Sequence, residues 1–262
     1  MVVTRSEPSA RRAVRFIGDG KACAGMTRRI LASRVILIAT PDDEIAVVAQ
    51  ELARIGEEEL RGRVVLHTSG AMDSAVLDAV HERGAMVGSM HPLQSFSGVS
   101  VPSLEGKVFT IERETQAVRV ARQIARSLGG LPVRISGSKK ILYHTSGDGR
   151  RSCARGGGSR HAIAPLAWDE AERSRARQVL ENFETLGPRA AWTGPLSRGD
   201  YKVARAHLEA LQESPEEFAQ AYEALSHLAA RVLAKDPAGV LAELEKTSVE
   251  KKLKAKAIGG KG

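Results

Sequence analysis

Three polar clusters in the first half of the chain hold the side chains best suited to chemistry: Thr40-Pro41-Asp42-Asp43, His67-Thr68-Ser69-Gly70 and Ser89-Met90-His91-Pro92. Each follows an apolar run, and ligands of open parallel sheets lie beyond the carboxyl ends of the strands, so the three are expected to meet along one edge. Imidazole readily holds or lends a proton near neutral pH, which makes His91 and His67 candidates to give a proton to a carbonyl or to orient a substrate. The alternative for either histidine is a hydrogen bond to backbone, and for Ser69 a helix cap. A fourth segment, AVRFIGDG at residues 13–20, reads as a strand entering a glycine turn and leaving as a helix. In that context Gly18 permits the tight turn, Gly20 lets a pyrophosphate approach the backbone, and free helix amides face its charge. Cys23 stands where the full fingerprint has a third glycine. Asp42 is the candidate ribose reader, unless one strand and helix pair is absent. A purely structural strand-to-helix turn is the competing reading.

A second polar centre lies at TGPLSRGDYKVARAHL, residues 193–208. Arg198 could hold a substrate carboxylate with both prongs of its planar guanidinium, or simply pair with Asp200. Asp200 suits the cap of the next helix, and His207 follows on the same helical side. No serine sits in a G-x-S-x-G elbow, and no H-E-x-x-H or Cys/His spacing occurs, so neither a catalytic dyad nor a metal is expected.

The elements that must position these residues alternate. The first dozen residues read as a loose arm, and a helical pattern runs through Met26, Ile30 and Leu31. VILIAT (35–40) is a continuous apolar run, the signature of a strand covered on both faces. Asp42 or Asp43 can cap the following helix, with Ile45, Val48, Ala49 and Leu52 at helical spacing. RVVLHTSG, a helix over MDSAVLDAVHERG capped by Asp73 or Ser74, AMVGSMHPL, GKVFTIE, the amphipathic TQAVRVARQIARSLGG and LPVRIS continue the series. Strands separated by helices predict a mostly parallel sheet with helices on both faces. Past residue 160 only helical patterns remain, broken at Gly187-Pro188, Gly194-Pro195, Ser214-Pro215 and Asp236-Pro237. The fold class is therefore α/β, a parallel-sheet domain at 13–137 followed by an all-helical domain at 138–256. Residues 146–161, with five Gly and four Arg, read as an irregular loop.

Charge narrows the function classes. The formal net charge of +8 comes from the ends: residues 1–15 carry +3, residues 246–262 carry +5, and the stretch between carries none. With 4% aromatic residues there is no sign of a basic, base-stacking groove, so no nucleic-acid partner is expected and the terminal runs read as solvated tails. No run approaches the roughly 18 apolar residues of a spanning helix, which argues against a membrane. Two cysteines, Cys23 and Cys153, and a start without a signal-peptide pattern predict a cytoplasmic protein.

The stretches VILIATPDDEI (35–45), VVLHTSGAMDSAVLDAV (64–80), GAMVGSMHPLQSF (84–96), LEGKVFTIE (104–112), LYH (142–144) and LENFETLGPRAAWTGPLSRGD (180–200) resemble a bacterial oxidoreductase family. Its members join a Rossmann-like domain to a helical domain of unknown function, DUF2520, and are similar to pyrroline-5-carboxylate reductase, 6-phosphogluconate dehydrogenase and F420-dependent NADP reductases. The resemblance implies NADP or NAD in the first domain, with F420 a further option, a small-molecule substrate between the domains, and a homodimer through the helices. By position it implies a glycine turn at Gly18, Gly20 and Cys23, and nicotinamide-side loops with Thr40, Pro41, Ser69 and His91. His144, Asn182, Thr193, Gly194, Arg198 and Asp200 would face the substrate. This chain departs from the family at Cys23, in a shorter segment before VILIAT that lacks the ribose-reading strand, and in the glycine and arginine run after His144.

The expected function is NAD(P)-dependent hydride transfer to or from a small carbonyl or imine. The alternatives are a 2-ketoacid reductase, such as one acting on ketopantoate, with Arg198 on the carboxylate, and a non-catalytic regulatory or scaffold protein with a vestigial nucleotide fold. An intact or a collapsed pyrophosphate turn separates enzyme from scaffold.

Overall fold

The computed structural model describes residues 1–94, 96, 101–113, 115–137, 140–141, 181–212 and 215–246. The chain divides into two compact units. The first comprises Met1–His91, Phe109–Leu128 and Pro132–Gly137; the second comprises Pro92–Val108, Gly129–Leu131 and Ser138–Gly262.

The first unit is built on a mostly parallel five-stranded sheet. Two further strands precede it in the chain: β1 (Val2–Thr4) and β2 (Ala22–Ala24), which pair in parallel as a separate ribbon around helix α1 (Glu7–Ile17). The sheet runs in simple order through β3 (Val35–Ile38), β4 (Val64–His67), β5 (Met86–Pro92), β6 (Val108–Arg113) and β7 (Leu131–Arg134). Helix α2 (Asp42–Gly56) joins β3 to β4, a 3₁₀ turn (Ser74–Leu77) and the short α3 (Asp78–His81) join β4 to β5, and α4 (Thr115–Ser127) joins β6 to β7. The expected periodicity of α2 holds, because Ile45, Ala49 and Leu52 are buried with Ile36, Ile38, Val65, Leu77, Val80 and Val87 in one cluster.

Five local expectations are corrected. Residues 1–12 form β1 and most of α1, so they are not a loose arm, and residues 13–17 lie inside α1 rather than in a strand. The helix wins because Glu7 and Pro8 suit its first turn, Arg11 pairs with Glu7 one turn back at 2.5 Å, and Ala10, Ala13, Val14 and Ile17 recur at helical spacing. The Met26–Leu31 pattern gives only a 3₁₀ turn, Arg28–Ala32. β3 is covered on one face alone: Ile36 and Ile38 are buried, while Val35 and Leu37, which alternate to the other face, are 37% and 49% exposed. Neither Asp42 nor Asp43 caps α2, whose N-cap is Pro41, without a side-chain bond. Asp73 does cap, accepting from the Ala75 amide at 3.0 Å.

The second unit is helical where it is described beyond residue 180. Residues 181–191 are helical around a left-handed turn at Gly187 (φ 75), where a break is expected before Pro188. A 3₁₀ turn (Leu196–Arg198), α5 (Tyr201–Leu211), α6 (Glu216–Leu233) and a helix over residues 237–246 follow. Leu196, Ala204, Ala230, Ala234, Val240 and Leu244 form its core. The expected irregular segment at 146–161 lies outside the described residues.

Candidate functional site at the carboxyl edge of the sheet

Parallel pairing fixes where the polar clusters fall. Ile38 is in register with His67, and His67 with Ser89, so the ends of β3, β4 and β5 stand in one row and the three loops leave the sheet side by side. The sequence therefore places Thr40-Pro41-Asp42, Thr68-Ser69-Gly70 and Met90-His91 along a single edge, as expected.

Ser69 is the hub of that edge. Its buried hydroxyl donates to Asp42 Oδ2 at 2.8 Å and accepts from the amides of Ala71 (3.2 Å) and Met72 (3.0 Å), while its own amide donates to His67 Nδ1 at 3.2 Å. His67 is fully buried, and with Nδ1 accepting, the proton of its neutral ring lies on Nε2. His67 thus bonds to backbone, the alternative weighed for it, whereas Ser69 closes a turn and caps no helix.

The Oγ1 of Thr40 is buried at the carboxyl end of β3, next to the start of α2, and has no hydrogen-bond partner among the described residues. A buried hydroxyl left alone in a fold is uncommon and points to a ligand group or water that completes it. His91 is half-buried on β5, and its carbonyl accepts from the Thr110 hydroxyl at 3.4 Å.

A residue that the sequence reading passed over supports this edge from below. Glu112, buried in β6, accepts from the amide and hydroxyl of Ser74 (2.9 and 2.8 Å) and from the Ser89 hydroxyl at 3.3 Å. One carboxylate thereby ties β5 and β6 to the turn that follows β4. The signal was a lone acidic residue at the apolar-flanked end of VFTIE, where burial demands partners.

The glycine turn is not where the strand pattern puts it. Gly18 (φ 83) closes α1, with its amide donating to Val14 O at 2.9 Å. The Gly20 amide, which should face a pyrophosphate, instead donates to Asp19 Oδ1 at 2.6 Å. Cys23 is a strand residue, paired in register with Val3. Gly18, Gly20 and Cys23 thus follow the C-terminus of a helix and open none, so they offer no free helix amides for a phosphate. The strand-to-helix crossing lies earlier, at Thr4-Arg5-Ser6. There the Thr4 hydroxyl donates to Ser6 O at 2.7 Å, the Ser6 hydroxyl donates to Ser9 Oγ at 3.1 Å, and the 91% exposed Arg5 side chain reaches Glu44 at 3.9 Å, at the first turn of α2. The missed signal was a helix start, Ser6-Glu7-Pro8.

In the second unit, Asn182 is buried in the helical stretch 181–191, and Thr193 and Gly194 (φ 108) lie in the loop beyond it. Arg198 is exposed at the end of its 3₁₀ turn. Asp200 occupies the N-cap of α5 but makes no side-chain cap bond, since its backbone (φ −87, ψ 65) departs from the extended form that aims a capping oxygen at the helix amides. Among the described residues Arg198 and Asp200 form no ion pair, so the pairing weighed for them is not realised. His207 is buried and shares a 2.9 Å hydrogen bond with the Tyr222 hydroxyl, ring edge to ring face. Burial pushes His207 down to about 4 and Tyr222 up to about 12. His144 lies outside the described residues. None of the described helices is long and apolar enough to cross a membrane.

Two family models match the chain: a Rossmann-like domain over residues 1–92 and the domain of unknown function DUF2520 over residues 164–229. No curated protein matches it in sequence. Among solved structures, a protein of Thermotoga maritima is 20% identical, covers 87% of this chain and 89% of its own, and superposes with a TM-score of 0.43. Prephenate dehydrogenase of Aquifex aeolicus is 13% identical over 84% of this chain and 85% of its own, with a TM-score of 0.44. An imine reductase of Streptomyces aurantiacus is 17% identical over 89% and 87%, with a TM-score of 0.39.

Proposed function

For a chain that joins a Rossmann-like domain to a DUF2520 domain, we propose an NAD(P)-dependent oxidoreductase that transfers a hydride to or from a small carbonyl or imine. The observation that carries this reading is the buried hydroxyl of Thr40 at the carboxyl end of β3, which has no hydrogen-bond partner among the described residues. That is the edge on which open parallel sheets receive dinucleotides, and a ligand oxygen or amide there completes the orphaned group. The coenzyme, when bound, supplies the hydride chemistry.

The chain's own residues supply the rest. Thr40 and Pro41 hold the ligand at the end of β3. Arg5 and Ser6, at the end of β1, suit the added charge of a ribose 2′-phosphate, which favours NADP over NAD. His91 holds the proton that must accompany a hydride onto a carbonyl oxygen or an imine nitrogen. Ser69 acts at one remove, as a positioning residue that fixes the loop after β4 against α2.

Arg198 favours one substrate class within this reading. Exposed and without an ion pair among the described residues, its guanidinium is available to a carboxylate, as a 2-ketoacid such as ketopantoate requires. A non-catalytic role is the second reading, favoured by the fact that Gly18, Gly20 and Cys23 follow a helix C-terminus and present no free helix amides to a pyrophosphate.

Titration with NADPH, NADH and reduced F420, followed by nicotinamide or deazaflavin fluorescence and by heat, separates the two. Saturable binding of a nicotinamide coenzyme, weakened by Thr40→Val, is the expected result. Failure of all three to bind overturns the oxidoreductase and leaves the scaffold.

A further inference from the structure

Residues 1–34 hold eight basic side chains and two acidic ones, and all eight basic side chains are exposed. By composition the first fifteen residues look like a solvated tail, but the fold sets Arg11, Arg12 and Arg15 on helix α1 (Glu7–Ile17). At 3.6 residues per turn these three fall within an arc of about 100°, turned away from the buried Ala10. Glu7 lies on the flank of that arc and pairs with Arg11 at 2.5 Å. Arg12 and Arg15 make no ion pair among the described residues.

An aromatic ring borders the same face. Phe16 stands about 40° beyond Arg12 around the helix and, at 73% exposed, is the most exposed large apolar side chain among the described residues. Neither feature serves the fold. An exposed ring forgoes the burial that stabilises an apolar side chain, and like charges one turn apart repel.

Shape and chemistry choose among anionic partners. A nucleic acid is held in a cationic groove with several stacking rings, whereas the outer face of α1 is a convex ridge with one. An acidic polypeptide answers the arginines but needs a pocket of its own for the ring. The surface of an anionic bilayer answers both at once: each guanidinium meets lipid phosphate with paired N–H groups, and an aromatic ring sits at headgroup depth. Such a contact needs no spanning helix, and none of the described helices is long and apolar enough to be one.

We propose that α1 is a contact for an anionic membrane surface, with Arg11, Arg12 and Arg15 on lipid phosphates and Phe16 in the interfacial layer. One short helix holds the chain there, and salt releases it, because the attraction is screened within a Debye length.

The test is cosedimentation of the full chain with vesicles of phosphatidylcholine containing about one third phosphatidylglycerol, against vesicles of phosphatidylcholine alone. Binding to the anionic vesicles only, weakened by salt, is the expected result. Arg12→Ala combined with Arg15→Ala removes two charges at about fivefold each and lowers the partition coefficient about twenty-five-fold. Phe16→Ser lowers it by the same factor at low and at raised salt, because the share of the ring is not screened. Phe16→Trp keeps binding, and its fluorescence is quenched by brominated lipid beyond that of the wild-type chain. All three positions are exposed, so circular dichroism should show every variant folded. Absence of binding, or equal binding to both kinds of vesicle, overturns the proposal. Binding unchanged in the double arginine variant places the contact on the lysines of residues 246–262 and overturns it as well. A single-stranded RNA oligomer bound more tightly than the anionic vesicles overturns it in favour of a nucleic acid. Coenzyme titration reads a separate property, so this inference and the proposed function fail separately.

Discussion

The Ser69 hydroxyl donates to the Asp42 carboxylate at 2.8 Å while accepting from two backbone amides, so a single oxygen joins the loop after β4 to the first turn of α2. Removing it leaves the amides of Ala71 and Met72 short of an acceptor in a buried setting. Ser69→Ala is expected to destabilise the first unit by about 2 kcal/mol, read as a lower urea midpoint. Asp42→Asn keeps an acceptor for the hydroxyl and should lose less than half as much. Equal losses in the two variants would show that charge, rather than turn closure, is what the pair provides.

The row of loops along the sheet edge was legible in sequence because parallel strands announce themselves by apolar runs and because register follows from pairing: Ile38, His67 and Ser89 had to align once β3, β4 and β5 did. Residues 13–20 were misread for a physical reason. A window that begins at Ala13 sees Ala-Val-Arg-Phe-Ile followed by glycine, and strand and helix look alike over five residues. The decision lies upstream, in Ser6-Glu7-Pro8 and the Glu7–Arg11 pair, and downstream in the left-handed Gly18 that ends a helix. Glu112 and Thr40 were illegible as a pair of opposites, one satisfied by Ser74 and Ser89 and the other left alone. Only tertiary contacts distinguish those two states of a buried polar group.

His207 makes stability depend on pH. Its folded value, pushed down to about 4 by burial, lies below the ordinary 6.5, so between those values the unfolded chain binds the proton and the folded chain does not. Stability therefore falls as pH drops from about 6.5 towards 4, by up to about 3 kcal/mol, and is flat above that range with respect to this residue. The un-ionised Tyr222, pushed up to about 12, adds no titration there. Urea midpoints at pH 7 and pH 5, compared between wild type and His207→Gln, check this. The variant should lose part of the pH dependence, and an unchanged slope would assign the effect to other groups.

Arg5 is expected to discriminate between coenzymes. Its side chain is 91% exposed at the end of β1 and pairs with Glu44 at 3.9 Å, so Arg5→Ala should leave folding unaltered. Loss of one charge-assisted contact to a phosphate corresponds to about tenfold weaker NADPH binding, with NADH unchanged. Fluorescence titration of both coenzymes with both proteins gives the ratio. A parallel loss for NADH would move Arg5 from the 2′-phosphate to a group the two coenzymes share.

Gly18 tests the corrected reading of the glycine segment directly. Nothing lies within 4 Å of a Cβ built on it, so space is no obstacle, but its φ of 83 is a left-handed value that alanine adopts at a cost. As the residue that closes α1, Gly18→Ala should lower stability by about 1 kcal/mol through backbone strain and leave coenzyme affinity within twofold of wild type. Were residues 18–20 a phosphate turn, Gly18 would shape the loop that carries the pyrophosphate, and the same substitution would cost coenzyme binding as well. Binding and urea denaturation measured on the same preparation therefore decide between a helix terminus and a phosphate turn, and a loss of coenzyme binding would restore the turn.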